Sequence, residues 1–158
     1  LKIRGVPKEE RQQMAQTFID MMQLTGFERH YPFELSGGMQ KRCSIIRTLI
    51  YDPDIILMDE PFGPLDAQTR MLLQDELLRI WDKNQKTILF VTHDLTEAIA
   101  LSDKVVLFTQ RPGRVKRVFD IPLTRPRNVF EIHNQKGFTE TYHEIWQYFK
   151  TEIKVRGG

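Results

Sequence analysis

Asp59 and Glu60 stand side by side at the end of the apolar run IILM, within Ile55 to Pro61. His93 follows a second apolar run, in VTHD at Val91 to Asp94. Upstream of both, Leu35 to Arg42 reads LSGGMQKR, a serine suited to cap a helix and then two glycines. A carboxylate at the mouth of a buried strand can hold a magnesium ion through oxygen ligands, and Asp59 is the expected holder. The amides of Gly37 and Gly38, with no side chains in front of them, can approach a phosphate closely, and the helix dipole favours the anion. These residue types suit transfer of a phosphoryl group to water, where positioning and charge compensation do most of the work. Each element alone has a plainer reading. Ser-Gly-Gly is also an ordinary turn, with Ser36 a simple cap. A strand ending in Asp is also an ordinary buried strand, and a lone histidine after a strand is more often a hydrogen-bonded structural residue.

The elements that must position these groups alternate between helix and strand. Pro7 suits the first turn of a helix whose Met14, Phe18, Met21 and Met22 share a face, with Gly26 as its stop. Ser36 caps a helix carrying Ile45, Ile46, Leu49 and Ile50, which Pro53 ends. A buried strand is expected at Ile55 to Met58, and Asp66 caps the helix of Leu73, Leu77 and Ile80 or Trp81. Thr87 to Thr92 is β-branched and apolar, which predicts a second buried strand. Asp94 with Glu97 resembles a capping box for a helix through Leu101. Val105 to Phe108 and Val115 to Phe119 predict a strand pair around RPGR. Pro122 to Asn128 reads as irregular, and Phe138, Tyr142, Ile145 and Phe149 recur at helical spacing in a closing helix. Such alternation implies a mostly parallel sheet with both faces covered, and ligands bind beyond the carboxyl ends of its strands. Asp59, Glu60 and His93 are therefore expected in one crevice.

At 158 residues, 41% hydrophobic and 28% charged, the chain suits a single soluble domain around one core. A formal net charge of +2 gives no electrostatic case for a nucleic-acid partner. Cys43, the one cysteine, falls in a predicted helix and favours a buried or partly buried thiol in a reducing compartment. Charges or prolines interrupt every apolar run well short of the roughly 20 residues a membrane helix needs.

LSGGMQKR, IILMDEP, GPLDAQTR at Gly63 to Arg70 and VTHD occur in the order found in ATP-binding-cassette (ABC) transporter ATPases, which the chain resembles. The resemblance runs from Leu1 to about Val118 and is most specific from Glu34 to Asp103. It implies an α/β fold of the P-loop NTPase type, a mostly parallel sheet with flanking helices plus a partial helical subdomain. The Gly-rich phosphate loop of that family, G-x-x-x-x-G-K-[ST], does not occur in this sequence. LKIRGVPKEER resembles the segment after the family's glutamine-bearing loop, so the phosphate loop is expected upstream. The chain then reads as the C-terminal part of one cassette. Residues 1–50 would hold the helical and signature region, 51–120 part of the catalytic core and 121–158 the C-terminal tail and helix.

By the same resemblance the cofactors are ATP and Mg2+. Glu60 would orient and polarise the attacking water, His93 would contact the γ-phosphate, and Asp59 would serve the metal. Ser36, Gly37, Gly38 and Gln40 would act on the nucleotide held by a second ATPase subunit, most simply a second copy, and Asp66 would cross that interface. Pro64 stands where the family usually has alanine, and Ile46 and Thr48 replace small alanines; none of these removes a catalytic group. FGPLDAQTR, the RPGRV turn and the tail IPLTRPRNVFEIHNQKGFTETYHEIW resemble the ATPases of nitrate, sulfonate and taurine importers. That implies membrane permease subunits as partners, a solute-binding protein acting indirectly, and a cytoplasmic place against the inner face of the membrane. The segment before Ser36, including Tyr31 to Glu34, would lie near the permease contact. The alternatives are a cassette ATPase of DNA repair or translation, which would carry coiled-coil insertions or paired cassettes, and a non-catalytic truncated fragment.

Overall fold

A computed structural model describes residues 3–154, so residues 1–2 and 155–158 of the outer expected segments lie outside it. The chain divides into two compact units, Leu1–Leu89 and Phe90–Gly158.

The first unit opens with α1, Lys8–Met21, after Pro7 at the N-cap, and Glu9 and Glu10 in its first turn suit the positive end of the helix. Its expected stop at Gly26 is overturned. The helix ends instead where Gln23 turns left-handed at φ 54°, with the Gln23 amide donating to Asp20 and the Leu24 amide to Ile19. That is a Schellman closure, and its partner, Leu24, is buried. A 3₁₀ turn at Pro32–Glu34 leads into α2, Gly37–Leu49, capped by Ser36 as expected. Ile45, Ile46 and Leu49 are its buried face. Cys43 is half-buried and free.

Strand β1, Ile55–Asp59, is followed by α3, Ala67–Asn84, and then by β2, Thr87–Val91. The strands pair, and the Thr87 amide donates to the Asp54 carbonyl at 3.3 Å, so their starts lie together as a helical crossover requires of parallel neighbours. Asp66 caps α3, while Leu73, Leu77, Leu78 and Ile80 are buried. Trp81 is half-buried and donates its indole N–H to the Lys86 carbonyl. The expectation that β1 and β2 are buried on both faces does not hold for the described residues. Ile56 and Met58 are buried, whereas Ile55 and Leu57 are 62% and 70% exposed, and Leu89 and Val91 are also exposed. With alternate residues on opposite faces, β1 has one covered side and an equally apolar open one, while β2 alternates exposed residues with half-buried Ile88 and Phe90.

The second unit contains α4, Leu95–Leu101, the antiparallel pair β3, Lys104–Phe108, and β4, Val115–Asp120, and the closing helix α5, Phe138–Lys154. Its core gathers Ile99, Ala100, Phe119, Ile121, Leu123, Ile132, Phe138 and Ile145. On the other hairpin face Val106 pairs with Val118 and Phe108 with Val115, and all four are exposed. The segment after β4, expected to be irregular, has no helix or strand up to a 3₁₀ turn at Val129–Asn134. It nevertheless contributes a buried arginine. Arg127 donates to the carbonyls of Ile99, Ala100, Ser102 and Leu123 at 2.7–3.2 Å. Three of those carbonyls belong to the C-terminal end of α4 and its cap, where the helix leaves acceptors without internal donors.

Candidate functional site

The first unit holds Ser36, Gly37, Gly38, Gln40, Asp59, Glu60 and Asp66; His93 belongs to the second.

At the start of α2 the Ser36 hydroxyl accepts the Met39 amide at 3.3 Å, and the Gln40 amide donates to the Ser36 carbonyl, the first bond of the helix. The amides of Gly37 and Gly38 precede that bond, as the first donors of any helix do. Ser36 and Gly37 are exposed, and a Cβ placed on Gly37 would meet nothing within 4 Å. At Gly38 the demand is different. A Cβ there would come within 3.2 Å of Leu65 Cδ2, and Leu65 is buried inside the GPLD motif. The second glycine therefore lets the two motifs meet. Gln40 turns its amide nitrogen inward, donating to the carbonyls of Pro32 at 2.8 Å and Leu35 at 3.1 Å. It clamps the 3₁₀ turn in front of the helix.

That turn also presents two aromatic rings. Tyr31 and Phe33 stack with centroids 5.6 Å apart, both largely exposed. The Tyr31 amide donates to Glu34 Oε2 at 2.7 Å, which fixes the entry to the turn.

Asp59 and Glu60 are exposed at the end of β1, while the next two residues, Pro61 and Phe62, turn into the core. Glu60 has φ +41°. Among the described residues the other non-glycines at positive φ, Gln23, Asp52 and Gln85, all follow helix ends. Glu60 instead sits at a strand end, in a conformation that costs a residue with a Cβ roughly 1–2 kcal/mol. A bond from the Gly63 amide to the Glu60 carbonyl at 3.3 Å and the burial of Phe62 hold it there. Left-handed residues of this kind cluster where a side chain must be aimed against local preference.

Asp66 accepts the Thr69 amide at 2.9 Å. That bond, and after it the Thr69 hydroxyl, holds the Asp66 carboxyl below the usual aspartate range. His93 is exposed in the loop between β2 and α4, between Thr92 and Asp94, both half-buried. Asp94 caps α4 by accepting the Thr96 and Glu97 amides, at 2.8 and 3.1 Å. The expected capping box is corrected in one respect: the Asp94 amide goes to Thr92 Oγ1 at 3.0 Å, and Thr92 in turn donates to Glu97 Oε2 at 2.7 Å.

Among the described residues no cluster of three His, Cys, Asp or Glu side chains could enclose a metal. Magnesium is commonly held by one or two carboxylates together with nucleotide phosphates. Asp59 supplies such a carboxylate, and the donors at the start of α2 suit phosphate oxygens. Sequence reasoning missed Thr92, Leu65 and Arg127. A hydroxyl before His93 and a glutamate at position 97 were a readable signal for Thr92; nothing in the sequence marked Arg127 as buried.

The family described as ABC transporter matches residues 2–63. MJ0412, an uncharacterized ABC transporter ATP-binding protein of Methanocaldococcus jannaschii, is 52% identical over 153 residues, covering 97% of this chain and 56% of that protein. The aliphatic sulfonates import ATP-binding protein SsuB of Bacillus cereus is 43% identical over 133 residues, covering 84% of this chain and 51% of that protein. Among solved structures, the dimeric ABC transporter cassette MJ0796 superposes with a TM-score of 0.65 at 33% identity, over 73% of this chain and 49% of that one. The post-hydrolysis state of the same cassette bound to ADP and Pi gives 0.64 at 32% identity over the same shares. The chain spans about half the length of the curated relatives it matches.

Proposed function

Because this chain belongs to the ABC transporter family of ATP-binding proteins, as part of its P-loop ATPase cassette, we propose that the protein carrying it is the ATPase subunit of an importer. It couples ATP binding and hydrolysis to solute uptake through a membrane permease. The observation that carries this reading is the strand β1 ending in two exposed carboxylates, the second aimed by a left-handed backbone. SsuB, by its name an aliphatic sulfonates import ATP-binding protein, supports a nitrate-, sulfonate- or taurine-type solute.

Asp59 would hold Mg2+, which when bound would supply charge compensation for the transferred phosphoryl group. Glu60 accepts a hydrogen bond from the attacking water and orients it in line with the bond to be broken. His93 donates toward the γ-phosphate. Ser36, Gly37 and Gly38 donate from the start of α2 to the nucleotide of a partner cassette, with Gln40 presenting its amide oxygen and Asp66 meeting that partner across the interface. The dimeric cassette MJ0796 is the precedent for such a pair. No helix among the described residues is long and apolar enough to cross a membrane. The exposed Tyr31 and Phe33 offer the permease an aromatic surface, and a solute-binding protein acts only through the permease.

Replacing Glu60 with Gln in the full-length gene product removes the carboxylate and keeps its size. ATP hydrolysis is expected to fall about 10²-fold or more while ATP affinity stays unchanged, because the lost interaction is made in the transition state. Turnover measured beside equilibrium nucleotide binding checks this, and an equally active variant would overturn the assignment.

A further inference from the structure

The loop carrying His93 is tied down by a hydroxyl that the helix cap does not need. In an ordinary capping box the glutamate at the third helical position reaches back to the amide of the cap residue. Here Glu97 occupies that position but accepts from Thr92 Oγ1 at 2.7 Å, and Thr92 takes the Asp94 amide at 3.0 Å. Thr92 is thus inserted between the two halves of the cap. Its one proton goes to Glu97 and one of its lone pairs receives Asp94.

The insertion changes what the cap holds. A plain box would fix Asp94 alone, whereas this one fixes the residue on each side of His93. The far end of the chain of bonds is firm. Glu97 is buried, and Ile99 and Ala100 of the same helix lie in the core of the second unit. A buried carboxylate needs hydrogen bonds to be tolerated, so the Thr92 contact is one that Glu97 retains rather than exchanges with water. His93 itself is exposed between these two anchored neighbours.

We propose that Thr92 and Glu97 are positioning residues that set the direction in which His93 projects, so that the action of His93 on the terminal phosphate depends on both. The proposal rests on the reading of His93 given above.

The test uses the full-length gene product and steady-state hydrolysis of Mg-ATP. Thr92→Val keeps the shape and removes the hydroxyl, Thr92→Ser keeps the hydroxyl, and His93→Ala removes the group being positioned. Thr92→Val is expected to lower kcat about tenfold to a hundredfold with KM for ATP unchanged, the scale of a misplaced catalytic group. Thr92→Ser is expected to restore kcat. The double variant Thr92→Val/His93→Ala is expected to be no slower than His93→Ala alone, since residues acting as a unit are not additive. Should Thr92→Val fail to fold, Glu97→Gln carries the test. Its amide oxygen still accepts from Thr92 but without charge, and kcat is expected to fall less than with valine. A purely structural role would lower thermal stability and leave kcat per folded molecule intact, which overturns the proposal, as would multiplicative slowing in the double variant. If His93→Ala is slow while Thr92→Val and Glu97→Gln turn over normally, this proposal fails and the reading of His93 stands. If His93→Ala turns over normally, both fail.

Discussion

Single side chains at the two helix starts carry much of the candidate site. Ser36 caps α2 by accepting the Met39 amide, and the same hydroxyl stands at the surface from which a partner's nucleotide would be met. An arginine at residue 36 would place a long cation in that space. In full-length protein made hydrolysis-deficient by Glu60→Gln, light scattering is expected to show dimers on adding ATP. Ser36→Arg is expected to abolish them while each monomer still binds ATP; undiminished dimers would rule out a role in trans. Asp66 gives a prediction in pH. Its carboxyl is held below its ordinary value of 3.8, chiefly by the Thr69 amide, so folding favours the ionised form. That contribution is present above the unfolded value and is lost as pH falls through the lower folded one. Asp66→Asn keeps an acceptor for the cap and removes the titration. Melting temperatures are expected to fall less steeply for the variant than for the parent as acid is added below about pH 4. Both caps were legible in the sequence because Ser and Asp declare themselves by type before an apolar helix. The bonds of Gln40 to Pro32 and Leu35 were not, since they depend on how the preceding turn folds back.

Elements were read well where a local rule decides them. The strand pair around RPGR, the helix after Asp66 and the closing aromatic helix all appear where periodicity placed them. The misreadings share a cause, because each hangs on a partner distant in sequence or on a choice among equivalent local solutions. Gln23 and Gly26 both permit a left-handed stop, and burial of Leu24 favours the earlier one. Apolar residues along β1 and β2 predict two covered faces, but cover comes from other elements, and the described ones supply it on one side. Arg127 is the extreme case. The irregular reading of Pro122 to Asn128 says nothing of burial, yet Arg127 satisfies four carbonyls, three of them at the end of α4. Arg127→Met would keep the apolar stem and strip those acceptors of their donor. Chemical denaturation is expected to show a loss of about 3 kcal/mol or more, given that each buried group left unpaired costs roughly 1–3 kcal/mol. Lys104→Met provides the contrast. It breaks the exposed pair with Asp120, and stability is expected to change by less than about 1 kcal/mol.

The whole chain presents more apolar surface than its core accounts for. Ile55, Leu57, Leu89 and Val91 are open on β1 and β2, and Val106, Phe108, Val115 and Val118 on the hairpin. Each described strand has one paired edge and one unpaired. Contiguous apolar faces and bare edges promote association between copies. Residues 1–158 expressed alone are therefore expected to aggregate or to bind an apolar dye such as ANS, with weak near-ultraviolet circular dichroism and no micromolar affinity for Mg-ATP by calorimetry. A cooperatively melting chain that binds Mg-ATP at micromolar strength would show that these faces need no further cover. One contact within the first unit reaches beyond any single experiment. A Cβ added at Gly38 would come within 3.2 Å of Leu65 Cδ2, so the buried Leu65 side chain would have to give by a few tenths of an ångström. A larger residue 38 would require the Leu65 side chain to shift or to be trimmed. The LSGGMQKR and GPLDAQTR motifs therefore touch through one contact, and a change in the size of residue 38 is felt at once inside the second motif.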